Sequence, residues 1–261
     1  MNDHELAQRL AFAKIITCQA GKAAKEYFDN RADLTIEFKG KQDFVSHADR
    51  AVETIIRDGL AQSWPDDGVF GEEHGGTQAD PCWIIDPIDG TANFLRGLPY
   101  WCVTIAFVMG GQTVLGVTYD PVHDELYWAQ KGAGAWRNNQ RIDVSARATL
   151  ANGCVGLAFT FKQQPESYIA CVTKLLAAGI DHRRLGSSAL LLAHTADGRF
   201  DGMIANYVNS WDVLAGLLLV EEAGGLATNF LAAQSLNEPQ GVLAGTHAAW
   251  PELKKLVLPV N

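Results

Sequence analysis

Apolar residues recur at Leu6, Leu10, Ala13, Ile16, Ala20 and Ala24, and this three-to-four spacing predicts an amphipathic helix over Asp3 to Phe28. Leu34 to Phe38 alternates apolar with polar and predicts a strand. A short charged loop follows, Lys39-Gly40-Lys41-Gln42-Asp43. Ala51, Val52, Ile55, Ile56 and Leu60 predict a second helix from Asp49 to Trp64, with Pro65 just past its end. Val69 to Glu73 reads as a short strand that delivers acids to a loop. Trp83-Ile84-Ile85 is an apolar run of the kind that makes a buried strand, and Pro87, whose ring fixes φ, is expected to end it. Asp89-Gly90 is turn chemistry, and Thr91 can open a helix.

The texture then changes. Cys102–Met109, Thr113–Tyr119, Glu125–Gln130 and Gly134–Arg137 are β-type runs separated by glycine and proline turns, which predicts an antiparallel meander. The polar stretch Val144 to Asn152 is the expected boundary between two halves, 1–145 and 146–261. Beyond it strands and helices alternate. Strands are expected at Cys154–Phe159, His182–Leu185, Phe200–Ala205, Leu226–Thr228 and Val242–Ala244. Helices are expected at Pro165–Ala178, Ser187–Ala196, Ser210–Ala223 and from Pro251. An α+β half followed by an α/β half, with the chemistry between them, is the architecture this order implies.

Composition narrows the function classes. An apolar fraction of 48% can fill a sizeable core. A net charge of −9 argues against direct binding of nucleic acid or an anionic membrane. A phosphorylated small molecule stays compatible if metal ions reverse the local field. Five scattered cysteines without a C-x-x-C pair read as free thiols in a reducing compartment. The acidic start MNDHELAQRL lacks the apolar core of a signal peptide, and no run approaches the roughly 20 residues of a membrane span. A soluble, cytoplasmic protein is expected.

The candidate chemistry is acidic. Asp86 and Asp89 sit three residues apart where a strand breaks into a turn before a helix. Like charges so close repel unless a cation lies between them, and hard oxygen ligands suit Mg²⁺ better than Zn²⁺. No two histidines have H-x₃-H spacing, which argues against zinc. Glu72-Glu73 brings two further acids, and Ser210 as N-cap places Asp212 in the first turn of an apolar helix. Each group has a plain alternative: a capping turn for Asp86 and Asp89, a solvated pair for Glu72 and Glu73, a dipole-favoured first-turn acid for Asp212. Trp83 and Trp211 read as packing residues that keep water from the acids. Spacing alone does not show that these segments meet.

Four segments in order resemble the inositol monophosphatase superfamily of metal-dependent, lithium-sensitive sugar and polyol phosphatases: Gly71-Glu72-Glu73, Trp83 to Phe94, Gly186-Ser187-Ser188, and Trp211-Asp212-Val213-Leu214-Ala215-Gly216. The second and fourth are specific in combination, and together the four span most of the chain. The resemblance implies an alternating α-β-α-β-α layered sandwich, usually assembled as a homodimer. It implies that Glu72, Asp86, the carbonyl of Ile88, Asp89 and Asp212 hold two or three Mg²⁺ ions. Gly90 and Thr91 would offer backbone N–H groups to the phosphate. Thr91 with Glu72 would handle the attacking water, with Asp49 hydrogen-bonded to the threonine. Asp89 and Asp212 would also touch substrate, together with Gly186, Ser187, Ser188 and one of the arginines just upstream, Arg184 for preference. Lys39 and Lys41 match the family's mobile loop.

The expected reaction is hydrolysis of a small polyol or sugar phosphate by metal-activated water, with inositol 1-phosphate leading and histidinol phosphate as the alternative. At the position where family members carry an inositol-contacting glutamate this chain has Ala205. That removes a charge-assisted hydrogen bond typically of about 1.5–3 kcal/mol and tilts specificity away from strict inositol recognition. A bisphosphate nucleotidase or fructose-1,6-bisphosphatase fits less well, because those relatives carry insertions. A third class is a regulatory protein of this fold acting through RNA polymerase or RNA-associated partners.

Overall fold

A computed structural model describes residues 2–31, 36–40, 43–147, 149–233 and 235–256, with the backbone alone for 36–40 and 43–45. Lys41 and the side chain of Lys39 therefore lie outside the described residues, as do Leu34 and Thr35 of the expected first strand.

The first half opens with helix α1 (Asp3–Asp29), a strand pair β1 (Ile36–Gly40) and β2 (Asp43–Ser46), and helix α2 (His47–Ser63). Asn2 caps α1 and Ser46 caps α2, each through a capping box that satisfies amide N–H groups left over at a helix start. Strands β3 (Gly68–Gly71), β4 (Gly75–Gly76) and β5 (Cys82–Asp89) follow, then the short helix α3 (Thr91–Arg96). The meander is β6 (Cys102–Met109), β7 (Gln112–Asp120), β8 (Glu125–Gln130), β9 (Gly134–Arg137) and β10 (Gln140–Ile142). These strands form one sheet in the order β10-β9-β8-β7-β6-β5-β3-β4, antiparallel except where β3 lies parallel to β5.

The second half runs β11 (Cys154–Ala158), α4 (Glu166–Ala177), β12 (Asp181–Arg183), α5 (Ser188–Ala196), β13 (Gly202–Val208), α6 (Ser210–Glu222), β14 (Leu226–Ala227), β15 (Gln240–Gly245) and α7 (Trp250–Leu256). Its sheet has the order β12-β11-β13-β15-β14.

Side-chain alternation along the strands sorts the core into layers. Trp83 and Ile85 of β5 pack with α1 and α2, whereas Cys82 and Ile84 pack with α5 and α6. On β13, Met203 and Ala205 join that same α5–α6 layer, whereas Ile204 packs with α4 and α7. The stack is therefore α1/α2, large sheet, α5/α6, small sheet, α4/α7, the five-layer α-β-α-β-α sandwich that the family resemblance implies.

Pro87 does not end its strand. β5 continues to Asp89, and the pairing with β6 slips between Asp86, opposite Thr104, and Asp89, opposite Cys102. Proline and Ile88 fall inside that bulge, where no ladder N–H is required of Pro87. The expected strand over Val69 to Glu73 is shorter than predicted, because Glu72 and Glu73 have left the sheet for a turn.

Helix α6 is held tightly in place. A Cβ at Gly116 of β7 would lie 2.7 Å from the Ala215 carbonyl oxygen, so the helix backbone sits directly on the strand. Gly216 meets Leu192 of α5 just as closely. At the far end, Glu222 accepts the Gly132 and Gly134 N–H groups at 2.7 and 2.8 Å. Gly116→Ala is expected to destabilise the fold by about 1–3 kcal/mol, read from urea unfolding, because it forces helix and sheet apart.

All five cysteines are free thiols. Among the described residues no helix is long and apolar enough to cross a membrane.

Candidate active site

The bulge in β5 creates the site. By slipping one ladder, it presents Asp86 and Asp89 from the same strand end, both buried, with Asp86 Oδ1 accepting the Ile88 N–H at 2.9 Å. β3 runs parallel to β5 as far as Ile85, and the Glu72 N–H reaches the Ile85 carbonyl at 3.2 Å, so Glu72 leaves the sheet beside Asp86. Asp212 arrives from the other half. Asn209, rather than the expected Ser210, is the N-cap of α6, and Asp212 Oδ2 accepts the Asn209 N–H at 2.9 Å in a capping box. Asp212 thus lies in the first turn of α6 and close to Asp86 and Asp89.

Carboxylate oxygens of Asp86, Asp89 and Asp212 come within 4.8 Å of one another. Burial pushes Asp86 well above the usual carboxylate range, and Glu72, Asp89 and Asp212 push it further. Burial also raises Asp89 to about 6, against hydrogen bonds from Ser187 and the 188–189 backbone that pull it down. Asp212 rises to about 7, by burial first and Asp89 second. Three carboxylates this close, two of them buried, fit a divalent cation, and an all-oxygen donor set fits a hard one.

Thr91 begins α3, behind Gly90, whose φ of 102° is open to glycine. Its Oγ1 lies 3.1 Å from Asp49 Oδ1 and 3.0 Å from the Ile88 carbonyl. Asp49 is buried and anchored through Oδ2, which accepts the Ser46 N–H and Oγ–H at 2.8 Å each. Burial raises its carboxyl too.

The acids open on a cleft of about 820 Å³ between the two halves. Glu72, Asp89, Gly90, Thr91 and Asp212 line its floor. Gly186 and Ser188 line it from the other half, whereas Ser187 is buried, donating from Oγ to Asp89 Oδ2 at 2.5 Å, beside the Ala189 N–H at 2.6 Å. Of the two candidate arginines, Arg184 lines the cleft with its guanidinium 5.6 Å from the Phe159 ring centre. Arg183 is exposed and paired with Asp181 at 2.7 Å. Ala205 is buried in β13, opposite Ala158 and Val242.

A family model described as the inositol monophosphatase family matches residues 5–259. The chain belongs to the inositol monophosphatase family. It is 37% identical over 245 residues to an inositol-1-monophosphatase of Mesorhizobium japonicum, with 92% of each chain covered. It is 38% identical over 248 residues to the Nus factor SuhB of Pasteurella multocida, covering 92% of this chain and 90% of that one. The crystal structure of extragenic suppressor protein suhB from Bartonella henselae superposes with a TM-score of 0.90 at 31% identity, over 97% of this chain and all of that one. Inositol monophosphatase family membership accounts for the motif order and for the layered fold.

Sequence reasoning passed over several residues here. Asn93 Nδ2 donates to the Tyr100 carbonyl at 2.8 Å and the Leu185 carbonyl at 2.6 Å, bolting α3 to the segment before Gly186. It sat inside the quoted motif, but its partners are 92 residues away, in the second case, and no local pattern announces them. Asn93→Ala is expected to cost about 2 kcal/mol in urea unfolding, since two carbonyls lose their donor. Phe159, Phe161 and Tyr207, which line the cleft wall, gave no signal beyond ordinary apolar strand ends.

Proposed function

We propose that this protein is a Mg²⁺-dependent phosphatase of small polyol or sugar phosphates, with inositol 1-phosphate as the first substrate to test and histidinol phosphate as the second. The observation that carries the reading is the cluster of Asp86, Asp89 and Asp212, the first two buried and the third half-buried, with Asp89 and Asp212 lining the cleft. With Glu72 and the Ile88 carbonyl these residues would hold two or three ions. Bound Mg²⁺ supplies charge neutralisation for a phosphate dianion and lowers the pKa of water.

The chain's own groups divide the remaining work. Thr91 has a single hydroxyl proton, and donating it in a hydrogen bond to Asp49, rather than to the Ile88 carbonyl also within reach, leaves the oxygen's lone pairs free to accept a hydrogen bond from the attacking water. Asp49, fastened by Ser46, keeps that direction fixed. Glu72 flanks the same water. Gly90 and Thr91 offer backbone N–H groups to the phosphate, and Ser187 holds Asp89 towards it. Gly186, Ser188 and Arg184 face the alcohol portion. Lys39 and Lys41 would steer the incoming phosphate.

Specificity for a polyol needs acceptors for its hydroxyl groups. Among the described residues, the carboxylates lining the cleft are Glu72, Asp89 and Asp212, all engaged at the acidic floor. Ala205 adds none. Broad acceptance of small phosphate monoesters follows, within a homodimer whose protomers each keep a complete cleft between residues 1–145 and 146–261.

Phosphate release from inositol 1-phosphate, histidinol phosphate, fructose bisphosphate and adenosine bisphosphate, with and without Mg²⁺ and Li⁺, tests the proposal. Mg²⁺-dependent, Li⁺-inhibited release from the first two supports it. Preference for the bisphosphates moves the protein to another branch of the family. No release from any of the four favours a regulatory role, the reading that relatives named Nus factor bring into play.

A further inference from the structure

We infer that Glu53 is a positioning residue that sets the metal affinity of the site by fixing the backbone of Glu72. The inference rests on the proposed role of Glu72 as a metal ligand.

Glu53 lies one helical turn after Asp49 on α2 and is 0% exposed. Glu72 itself is fastened to the sheet by one backbone bond, and immediately after it the chain turns away. That turn is wrapped around the Glu53 carboxylate. Oε2 accepts the Glu73 N–H at 2.8 Å, and Oε1 accepts the His74 N–H at 3.3 Å. Arg57 Nε lies 2.6 Å from Oε1, and the other end of the same guanidinium bonds the Gly75 carbonyl. On the near side, a Cβ on Gly71 would sit 2.7 Å from Glu53 Cδ, so glycine is what lets the carboxylate slide beneath the strand end. One buried carboxylate thus holds residues 73 and 74 directly and 75 through Arg57, with 71 closed over it. Helix α2 therefore serves the site twice, through Asp49 to Thr91 and through Glu53 to Glu72.

Both oxygens are needed as acceptors. Glutamine has one acceptor oxygen, so in Glu53→Gln the amide NH₂ must face a donor. Residues that orient metal ligands typically change affinity by about 10–100-fold when altered. The half-saturating Mg²⁺ concentration, from thermal-shift titration and from phosphate release, is expected to rise by about that factor. The substrate KM at saturating Mg²⁺ should stay within about threefold. Gly71→Ala displaces the same carboxylate from the opposite side and should give the same phenotype, and the double variant should be no worse than either single one. Gly71→Ala also carries the test alone if Glu53→Gln does not fold. Wild-type Mg²⁺ dependence in both variants, with only lowered stability, overturns the inference, and so does an additive double variant. If the wild-type protein itself shows no Mg²⁺ response, the metal reading falls and takes this inference with it.

Discussion

Asp89→Asn is expected to lower turnover by roughly 10²–10³-fold at saturating Mg²⁺, the scale on which a single charge-stabilising group commonly acts, while the protein stays folded. The expectation of an intact fold comes from the hydrogen bonds at that carboxylate. Ser187 Oγ and the Ala189 N–H both donate to Oδ2, and an asparagine oxygen can accept both. What the substitution removes is charge, in a place where Asp86 and Asp212 already repel. Without metal, Asp89→Asn should therefore unfold at a temperature no lower than the wild type at pH 8. Near-normal phosphate release would remove Asp89 from the catalytic assignment. Lost activity accompanied by a collapsed melting temperature would make it a residue of the fold.

The same charges predict how the protein responds to pH. Asp89 and Asp212 titrate near 6 and 7 in the folded chain, against about 4 for an unfolded aspartate. Raised carboxyl groups contribute stability that is fully present below the unfolded value and lost as pH rises through the folded values. The metal-free protein should accordingly lose on the order of a few kcal/mol between pH 5 and pH 8, a fall of roughly 5–10 °C in melting temperature for a chain of this length. Mg²⁺ should restore most of that loss at pH 8. It should add little at pH 5, where protons compete for the same oxygens. Melting curves across this range, in EDTA and in Mg²⁺, check the prediction, and Asp212→Asn should flatten the metal-free profile. A flat wild-type profile in EDTA, or an equal Mg²⁺ shift at both pH values, contradicts it.

The five-layer stacking was legible only through the family resemblance, whereas the elements themselves were legible because periodicity reports which face of each is buried. The meander and the α/β alternation follow directly from that, with edges displaced by a few residues. Pro87 was misread for a physical reason: proline ends a ladder only where its missing N–H is needed, and a bulge removes the need. The acids of the site were legible as residue types, and family motifs tied them together. Their convergence was not, since Asp212 meets Asp86 and Asp89 only after the two sheets have packed on α5 and α6. Glu53 shows the limit best. In the sequence it is one more acid on an amphipathic helix, and only the turn after Glu72, folded back over Gly71, reveals what the carboxylate holds. Arg183 and Arg184 were indistinguishable as neighbours; both are exposed, but Arg183 pairs with Asp181 whereas Arg184, just past the end of β12, lines the cleft.

Helix α6 has a consequence for how this chain can vary. It is clamped at its far end by Glu222, in its middle by the Gly116 and Gly216 contacts, and it carries Asp212 at its start. A single residue inserted between Asp212 and Ala215 would swing the helix start by about 100° and shift it about 1.5 Å along the axis. Asp212 would then leave the acidic cluster although every core contact beyond it survived. The helix behaves as an indexed shaft: its angular setting, more than its stability, decides whether the site exists.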